Sequence, residues 1–270
     1  MSQNAIRLET DAVTGIATIT LTIDRSGGTK ALDDTLCARL CDALGQVELD
    51  DRTRVVVLQG AGPHFMPGSD IKIFHTILGE ASAVRRQRFE RLIADAHESI
   101  LRIRRMEKPV IASVRGVVAG FGLSLMNSCD LAVAADGTFF TMAYCNIGTS
   151  PDGSVTYGLP RVVGLKRAME IALLGERFDA RQALEFGLVN RVVPASALVD
   201  TTRSMAMRLA ASPTRALGRT KRLLNESFNR TLAEQLQAEQ ESFSQCAAEA
   251  DFEREVRAVV EKRKPLFSGR

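Results

Sequence analysis

The sequence predicts an α/β fold in which strands alternate with helices early in the chain and helices dominate late. The early part is predicted by two apolar, β-branched runs, at 55–58 and 109–114. Each is followed by a glycine-bearing turn that leads into apolar residues at helical spacing. The late part is predicted by a helical pattern that continues from residue 214 to near the end. This order is typical of a layered α/β core followed by helices.

The first predicted elements are a hairpin, a helix and a buried strand. Apolar and polar residues alternate over Ile6–Asp11 and over 16–23, and a threonine–glycine pair between them predicts a turn. The helical spacing of leucine, alanine and valine predicts a helix over 33–48. The apolar run after it predicts a buried strand over 55–59.

A long helix is predicted over 83–106, with many arginines on its outer face. Pro109 ends it, because proline cannot continue a helix. Short elements then alternate: we predict strands over 110–114, 131–135, 138–143 and 189–193, and helices over 121–129, 165–174, 180–186 and 196–211. The helical section from residue 214 contains an amphipathic pair, 231–248 and 251–263.

The change from mixed elements to helices predicts two parts. We place the boundary near 194–213, where prolines flank a helical segment. Residues 1–195 are expected to form the core that carries the active site. Residues 196–270 are expected to form a separate helical region.

Length and composition indicate an ordinary globular protein. A chain of 270 residues is long enough to bury a large core, and its content of 45% apolar and 25% charged residues is typical of soluble domains. The 35 basic residues exceed the 32 acidic ones by only three, so we do not expect nucleic acid as a partner. No apolar run approaches the roughly 18 residues of a membrane span, so we expect none.

Cysteine usage and the N-terminal segment predict a cytoplasmic protein. Five cysteines without a CxxC pair indicate reduced thiols. Residues 1–10 show neither a long apolar segment nor an arginine-rich amphipathic pattern, so no targeting signal is expected. The spacing of histidine, cysteine and aspartate does not suggest a metal site.

The two glycine-bearing turns, 62–72 and 116–125, carry the first indication of chemistry. A turn between a strand and a helix directs free backbone N–H groups outward from the first helical turn. Two such turns side by side would donate two hydrogen bonds to one developing oxyanion. This arrangement predicts an enzyme that polarises a carbonyl group with its backbone.

Read together, the two turns resemble the crotonase superfamily of enoyl-CoA hydratases and isomerases. Residues 55–62, followed by Phe65 and by 68–72, resemble its first signature, and residues 108–131 resemble its second. The segments 187–194 and 260–265 resemble the parts that follow its core. The order and spacing of these motifs cover nearly the whole chain.

The resemblance implies a crotonase (ClpP-like) fold of repeated ββα units, with a C-terminal helical region that mediates trimerisation and helps to close the site. It implies an acyl-CoA thioester as the substrate, and no cofactor other than the CoA that the substrate carries. It also implies self-association as a homotrimer or a dimer of trimers.

Matching by motif, the thioester oxygen binds the backbone N–H groups of Ser69 and Phe121, and the Phe121 ring must then point away from the thioester. The resemblance also assigns the contacts with the adenine and phosphate groups of CoA. These lie around Arg25, Lys30 and Ala31 and along Ser69, Asp70, Ile71 and Lys72.

Two glutamates that position water in the hydratases of this superfamily are replaced here by Ser124 and Tyr144. Neither side chain is a carboxylate base, so a two-glutamate hydration is disfavoured. Asp152, in a Pro-Asp-Gly turn, matches the position of the acid that moves the proton in Δ3,Δ2-enoyl-CoA isomerases. An aspartate in such a turn also fits a purely local role, but the resemblance favours Asp152 as the acid and base.

Three alternatives stay open. In 4-chlorobenzoyl-CoA dehalogenase an aspartate in this turn is a nucleophile, and the match places His97 and Tyr144 at its histidine and tryptophan positions. A hydratase or hydrolase variant that uses Asp152 also fits. A non-catalytic relative that binds CoA or RNA is the third, although the weak positive charge does not favour RNA.

Overall fold

The computed structural model describes residues 6–22, 34–69 and 71–269. The strands are β1 (Ile6–Asp11), β2 (Ile16–Leu21), β3 (Val55–Gly60), β4 (Val110–Val114), β5 (Val117–Ala119), β6 (Leu131–Ala135), β7 (Phe139–Thr141), β8 (Phe178–Asp179) and β9 (Arg191–Val193). The helices are α1 (Asp34–Leu49), α2 (Ile71–Thr76), α3 (Ser82–Arg105), α4 (Phe121–Ser128), α5 (Val155–Val163), α6 (Leu165–Leu174), α7 (Ala180–Glu185), α8 (Leu198–Ala210), α9 (Thr214–Glu226), α10 (Leu232–Ala247) and α11 (Ala250–Val260).

A six-stranded sheet in the order β1-β2-β3-β4-β6-β9 forms the centre of the molecule. The hairpin β1–β2 is antiparallel, and every later pair in this sheet is parallel. All residues of β4 are buried, as expected for a β-branched strand with both faces covered. Because β3 and β4 are adjacent and parallel, the turns that follow them leave from the same edge of the sheet.

A second sheet, in the order β5-β7-β8, lies in the segment that follows β4. Met66, in the turn after β3, forms a parallel bridge with Val118 of β5. The sequence predicted only a turn at this place, because three residues are too few to show a strand pattern. This small sheet ties the first glycine-bearing turn to the second.

Helices cover both faces of the central sheet. On one face, α1 and α3 pack through leucine, isoleucine and alanine side chains such as Leu40, Leu44 and Ile103. On the other face, Leu198 and Ala206 of α8 pack against β3, β4 and β6. The apolar core therefore extends to α8, while the division of the chain at residue 195 stays a prediction.

A buried ion pair attaches α9 to this core. The Lys221 ammonium lies 2.8 Å from the Asp130 carboxylate and donates a hydrogen bond to the carbonyl oxygen of Ile103 at 2.6 Å. The same carboxylate accepts a hydrogen bond from the amide of Val110 at 2.7 Å. The ammonium and the carboxylate thus pair with each other and with backbone groups, at the place where the carboxyl end of α3 meets the start of β4.

Most predicted elements are present with ends shifted by one or a few residues, and the α/β class with a mostly helical C-terminal section is confirmed. Helix α5 was not predicted, since Gly158 and Pro160 disfavour a helix locally. Burial of Val155 and Leu159 overrides that preference. In the described part of the chain, no helix has both the length and the apolar character needed to cross a bilayer.

Candidate active site

The two glycine-bearing turns meet beside the second sheet. The amide of Met66 donates to the carbonyl oxygen of Val117 at 3.2 Å, and the amide of Ala119 donates to that of Met66 at 2.9 Å. A Cβ atom at Gly68 would lie 3.2 Å from the carbonyl oxygen of Ala119, so the backbones are in contact. Gly68 and Gly120 have φ angles of +92° and +52°, which glycine adopts without strain.

Ser69 follows the first of these glycines and Phe121 follows the second. Phe121 is the first residue of α4, so its N–H group has no acceptor within the helix. Within the described residues, the amide of Phe121 has no backbone acceptor. This amide is therefore available to an acceptor that enters from outside.

Asp152 lies in a turn that leads into α5. Gly153 and Ser154 have φ angles of +63° and +70°, so the chain reverses sharply just after the aspartate. The Asp152 side chain is half-buried. The Tyr144 hydroxyl donates a hydrogen bond to its carboxylate oxygen Oδ1.

Two further side chains hold the backbone of this turn. The Ser124 hydroxyl donates to the carbonyl oxygen of Asp152 at 2.8 Å. The amide of Gly153 donates to His97 Nε2 at 3.1 Å. Because Nε2 accepts this hydrogen bond, it carries no proton, and the neutral imidazole has its proton on Nδ1. His97 thus reaches the turn from α3.

Burial raises the pKa of Asp152, and the Tyr144 hydrogen bond opposes this effect. Burial and the neighbouring Asp152 carboxylate also raise the pKa of Tyr144, so its hydroxyl stays protonated and acts as a donor. The arrangement contains one carboxylate whose proton affinity is increased, which suits a group that takes up and returns a proton.

The Phe121 ring is buried and packs beneath the Asp152 turn. A Cβ atom at Gly153 would lie 2.9 Å from Cδ2 of this ring and 2.6 Å from Cβ of Ser124. The ring therefore fills the space under Gly153, while the Phe121 amide begins the helix beside the first turn.

The structure brings together the side chains of four residues that the sequence analysis named: Asp152, Tyr144, His97 and Ser124. Phe121 lies next to them, and Ser69 follows the glycine that contacts the second turn. Of the expected CoA-binding residues, Ile71 begins α2 with an exposed side chain, and the backbone of Lys72 lies in the same helix. Four others lie outside the described residues: Arg25, Lys30, Ala31 and Asp70.

Sequence reasoning missed the contacts that join the turns. One of them is the hydrogen bond that His64 Nδ1 accepts from the amide of Val117 at 3.2 Å. Sequence reasoning also gave Ser124 no partner. No local pattern signals either contact, since both join residues far apart in the chain. Within the described ranges, no group of three histidine, cysteine, aspartate or glutamate residues is arranged to hold a metal ion.

Comparison with known proteins gives consistent matches. The family model described as enoyl-CoA hydratase/isomerase matches residues 11–270. The 1,2-epoxyphenylacetyl-CoA isomerase of Escherichia coli K12 is 36% identical over 252 residues, which cover 93% of this chain and 95% of the relative. The 4-chlorobenzoyl coenzyme A dehalogenase-1 of an Arthrobacter species is 35% identical over 218 residues, which cover 81% of this chain and 77% of the relative.

Solved structures also match along nearly the whole chain. The crystal structure of an enoyl-CoA hydratase from Polaromonas sp. JS666 is 32% identical, with a TM-score of 0.87. The match covers 97% of this chain and 99% of that chain.

Proposed function

This chain belongs to the enoyl-CoA hydratase/isomerase family and has the crotonase fold, and on that premise we propose that it moves a carbon–carbon double bond in an enoyl-CoA thioester. Membership makes it an enzyme of the hydratase/isomerase type. The proposal is narrower: Asp152 is the acid and base, and the amides of Ser69 and Phe121 bind the thioester oxygen.

The observation that carries the proposal is the set of contacts around Asp152. At the two positions where the resemblance implies glutamates, the chain has Ser124 and Tyr144, and both side chains donate hydrogen bonds to Asp152. Tyr144 thus contacts the carboxylate of Asp152 and Ser124 contacts its backbone carbonyl oxygen, where a hydratase would have two bases that hold water. A single carboxylate with a raised pKa supports proton transfer within one substrate more than it supports addition of water.

The proposed reaction conserves every atom of the substrate. The Asp152 carboxylate takes a proton from C2 of a 3-enoyl thioester, and the electron pair moves into a dienolate. The dienolate oxygen accepts hydrogen bonds from the amides of Ser69 and Phe121. The Asp152 carboxylic acid then returns the proton to C4, which gives the 2-enoyl thioester. Each oxyanion donor typically contributes about 3–4 kcal/mol to stabilisation of the transition state.

Recognition of the CoA part extends the same proposal. The family's name and those of the E. coli and Arthrobacter relatives refer to CoA thioesters, which supports CoA as the carrier. We assign its adenine and phosphate contacts to Arg25, Lys30, Ala31 and the segment from Ser69 to Lys72.

Self-association as a homotrimer, or as a dimer of trimers, is also proposed. Large apolar side chains on α6 and α10 support it because they are exposed in the single chain; among them are Leu165, Leu173, Leu232, Leu236 and Phe243.

A second candidate is a hydrolytic reaction in which Asp152 attacks the substrate as a nucleophile. The nearness of His97 to the Asp152 turn and the similarity to the Arthrobacter dehalogenase favour it. The lone pair of His97 Nε2 is already used by the Gly153 amide, so this nitrogen is not free to activate water. That contact makes isomerisation the better-supported function.

A mass-resolved assay separates the two candidates. The enzyme is incubated with 3-enoyl-, 2-enoyl- and aryl-CoA thioesters. The products are separated by chromatography, and their masses are measured by mass spectrometry. Isomerisation gives a product of unchanged mass, and hydration adds one water. In water labelled with ¹⁸O, the nucleophilic route labels the Asp152 carboxylate over repeated turnovers. Such a label, or no isomer from any 3-enoyl thioester, would contradict the proposal.

A further inference from the structure

We propose that Ser124 and His97 are positioning residues that hold the peptide unit between Asp152 and Gly153 in one orientation. By fixing this unit, the two side chains set the direction of the Asp152 carboxylate. Ser124 also sets the position of this peptide unit relative to the Phe121 amide. This inference rests on the proposed function, since it concerns how the base of that reaction is placed.

Both side chains act on the same peptide unit. The carbonyl group of Asp152 accepts from Ser124 Oγ at 2.8 Å, and the N–H group of the next residue, Gly153, donates to His97 Nε2 at 3.1 Å. These two backbone groups lie on opposite edges of one plane. A plane held at both edges by two different helices cannot rotate without breaking two hydrogen bonds.

The peptide unit needs such support because of the residues that follow it. Gly153 lacks a Cβ atom, and it and Ser154 have left-handed φ angles of +63° and +70°. In a turn of this kind, rotation of a peptide unit next to glycine meets little steric resistance. Rotation would change the ψ angle of Asp152, and with it the direction of the Asp152 side chain relative to the peptide unit that Ser124 and His97 hold.

Helix α4 supports the turn along one face. Phe121, Ser124 and Asn127 are spaced three residues apart, so they lie on the same side of the helix. The first two leave no room for a Cβ atom at Gly153, and a Cβ atom at Gly158 would lie 2.3 Å from Nδ2 of Asn127. The turn and the start of α5 therefore rest directly on α4.

The same helix supplies an amide to the proposed oxyanion site. Phe121 is its first residue, and Ser124 lies one turn later with a fully buried side chain. The distance from oxyanion donor to base is thus set by a single turn of helix plus one hydrogen bond. Misplacement of a catalytic group by about 1 Å costs on the order of a hundredfold in rate.

The test compares Ser124→Ala with Ser128→Ala. Ser128 is also buried in α4, but its hydroxyl donates to the carbonyl oxygen of Leu125 in the same helix, at 2.7 Å. We expect Ser124→Ala to lower kcat for a 3-enoyl-CoA by about 10- to 100-fold with KM changed less than about twofold. Ser128→Ala is expected to keep kcat. Equal losses in the two variants, or an effect of Ser124→Ala on KM alone, would overturn the inference.

A double variant shows whether Ser124 acts through the base. If it does, Ser124→Ala has no further effect on the residual rate of Asp152→Asn. An equal fractional loss in both backgrounds contradicts a positioning role. If Asp152→Asn itself keeps full activity, the proposed function fails. If Asp152→Asn is inactive while Ser124→Ala is fully active, only this inference fails.

His97 provides a second, independent variant pair in case the Ser124 variants do not fold. Glutamine at position 97 offers an oxygen acceptor to the Gly153 amide, whereas alanine offers none. We expect His97→Gln to retain at least about tenfold more of kcat than His97→Ala. Equal loss in both variants would show that the imidazole acts in another way and would overturn the assignment of His97.

Discussion

The Tyr144 hydroxyl donates a hydrogen bond to the carboxylate of Asp152, and the two residues come from separate loops on either side of a 3₁₀ turn, Cys145–Ile147. Burial favours the protonated, neutral form of Asp152, and this hydrogen bond favours the ionised form. Burial is the larger effect, so the pKa of Asp152 lies above its ordinary value and its carboxylate is a stronger base. The first two predictions follow from this pair.

Asp152→Asn is expected to lower kcat by about 10²–10⁴-fold with the affinity for CoA thioesters retained, because asparagine cannot accept the C2 proton. Steady-state kinetics with a 3-enoyl-CoA and binding of a saturated acyl-CoA measure the two effects. Asp136→Asn is the matched control, since Asp136 is an exposed aspartate in the turn after β6. Retained turnover in Asp152→Asn would show that the base is another group.

Tyr144→Phe is expected to move the acidic limb of the kcat/KM profile to higher pH. The Tyr144 hydrogen bond lowers the pKa of Asp152, so its loss raises that pKa and leaves less carboxylate ionised at a given pH. Rates measured from pH 5 to 9 would show the shift. An unmoved limb, or one moved to lower pH, would mean that the limb does not report Asp152.

Gly122→Ala is expected to separate the two glycine-bearing turns. An added Cβ atom would lie 2.2 Å from the carbonyl oxygen of Met66, which can move away only by disturbing its bridge with β5. We expect kcat to fall by about a hundredfold and the free energy of unfolding to fall by about 1–3 kcal/mol. Gly137→Ala is the control, because a Cβ atom there meets nothing within 4 Å. Similar activity in both variants would contradict the convergence of the turns.

The C-terminal segment is expected to detach in acid. The Asp251 carboxylate accepts hydrogen bonds from the Ser268 amide at 3.0 Å and from the Gly269 amide at 2.7 Å. Burial alone would raise its pKa, but the hydrogen bonds from Ser268, Arg254 and Gly269 together lower it to about 2. The stabilisation is therefore complete above the ordinary value of 3.8 and is lost as the pH falls towards 2.

The difference between 3.8 and about 2 corresponds to about 2 kcal/mol of stability at neutral pH. Asp251→Asn should lose a similar amount in urea unfolding at pH 7 and should flatten the decline between pH 4 and pH 2. Amide exchange at residues 266–269 would report the detachment directly. Glu253→Gln, at an exposed position of the same helix, is the control.

Much of the fold could be predicted from local patterns in the sequence. The apolar runs of β3 and β4 and the helical spacing of α1 and α3 depend on residues close in the chain, so their elements could be predicted with errors of only a few residues. Helix α5 and strand β5 could not, because the first contains Gly158 and Pro160 and the second has three residues. Contacts with distant parts of the chain stabilise both.

The candidate site also has features that the sequence predicted and features that it did not. The sequence by itself determined the α/β class, the order of the motifs and a lone acid, Asp152, in a glycine-bearing turn. Only the tertiary structure decided that Ser124 and His97 hold one peptide unit of that turn. These residues come from separate helices, 28 and 56 positions before their backbone partners. A side-chain hydrogen bond to the backbone needs a specific distance and direction, and residues so far apart acquire them only when the helices pack.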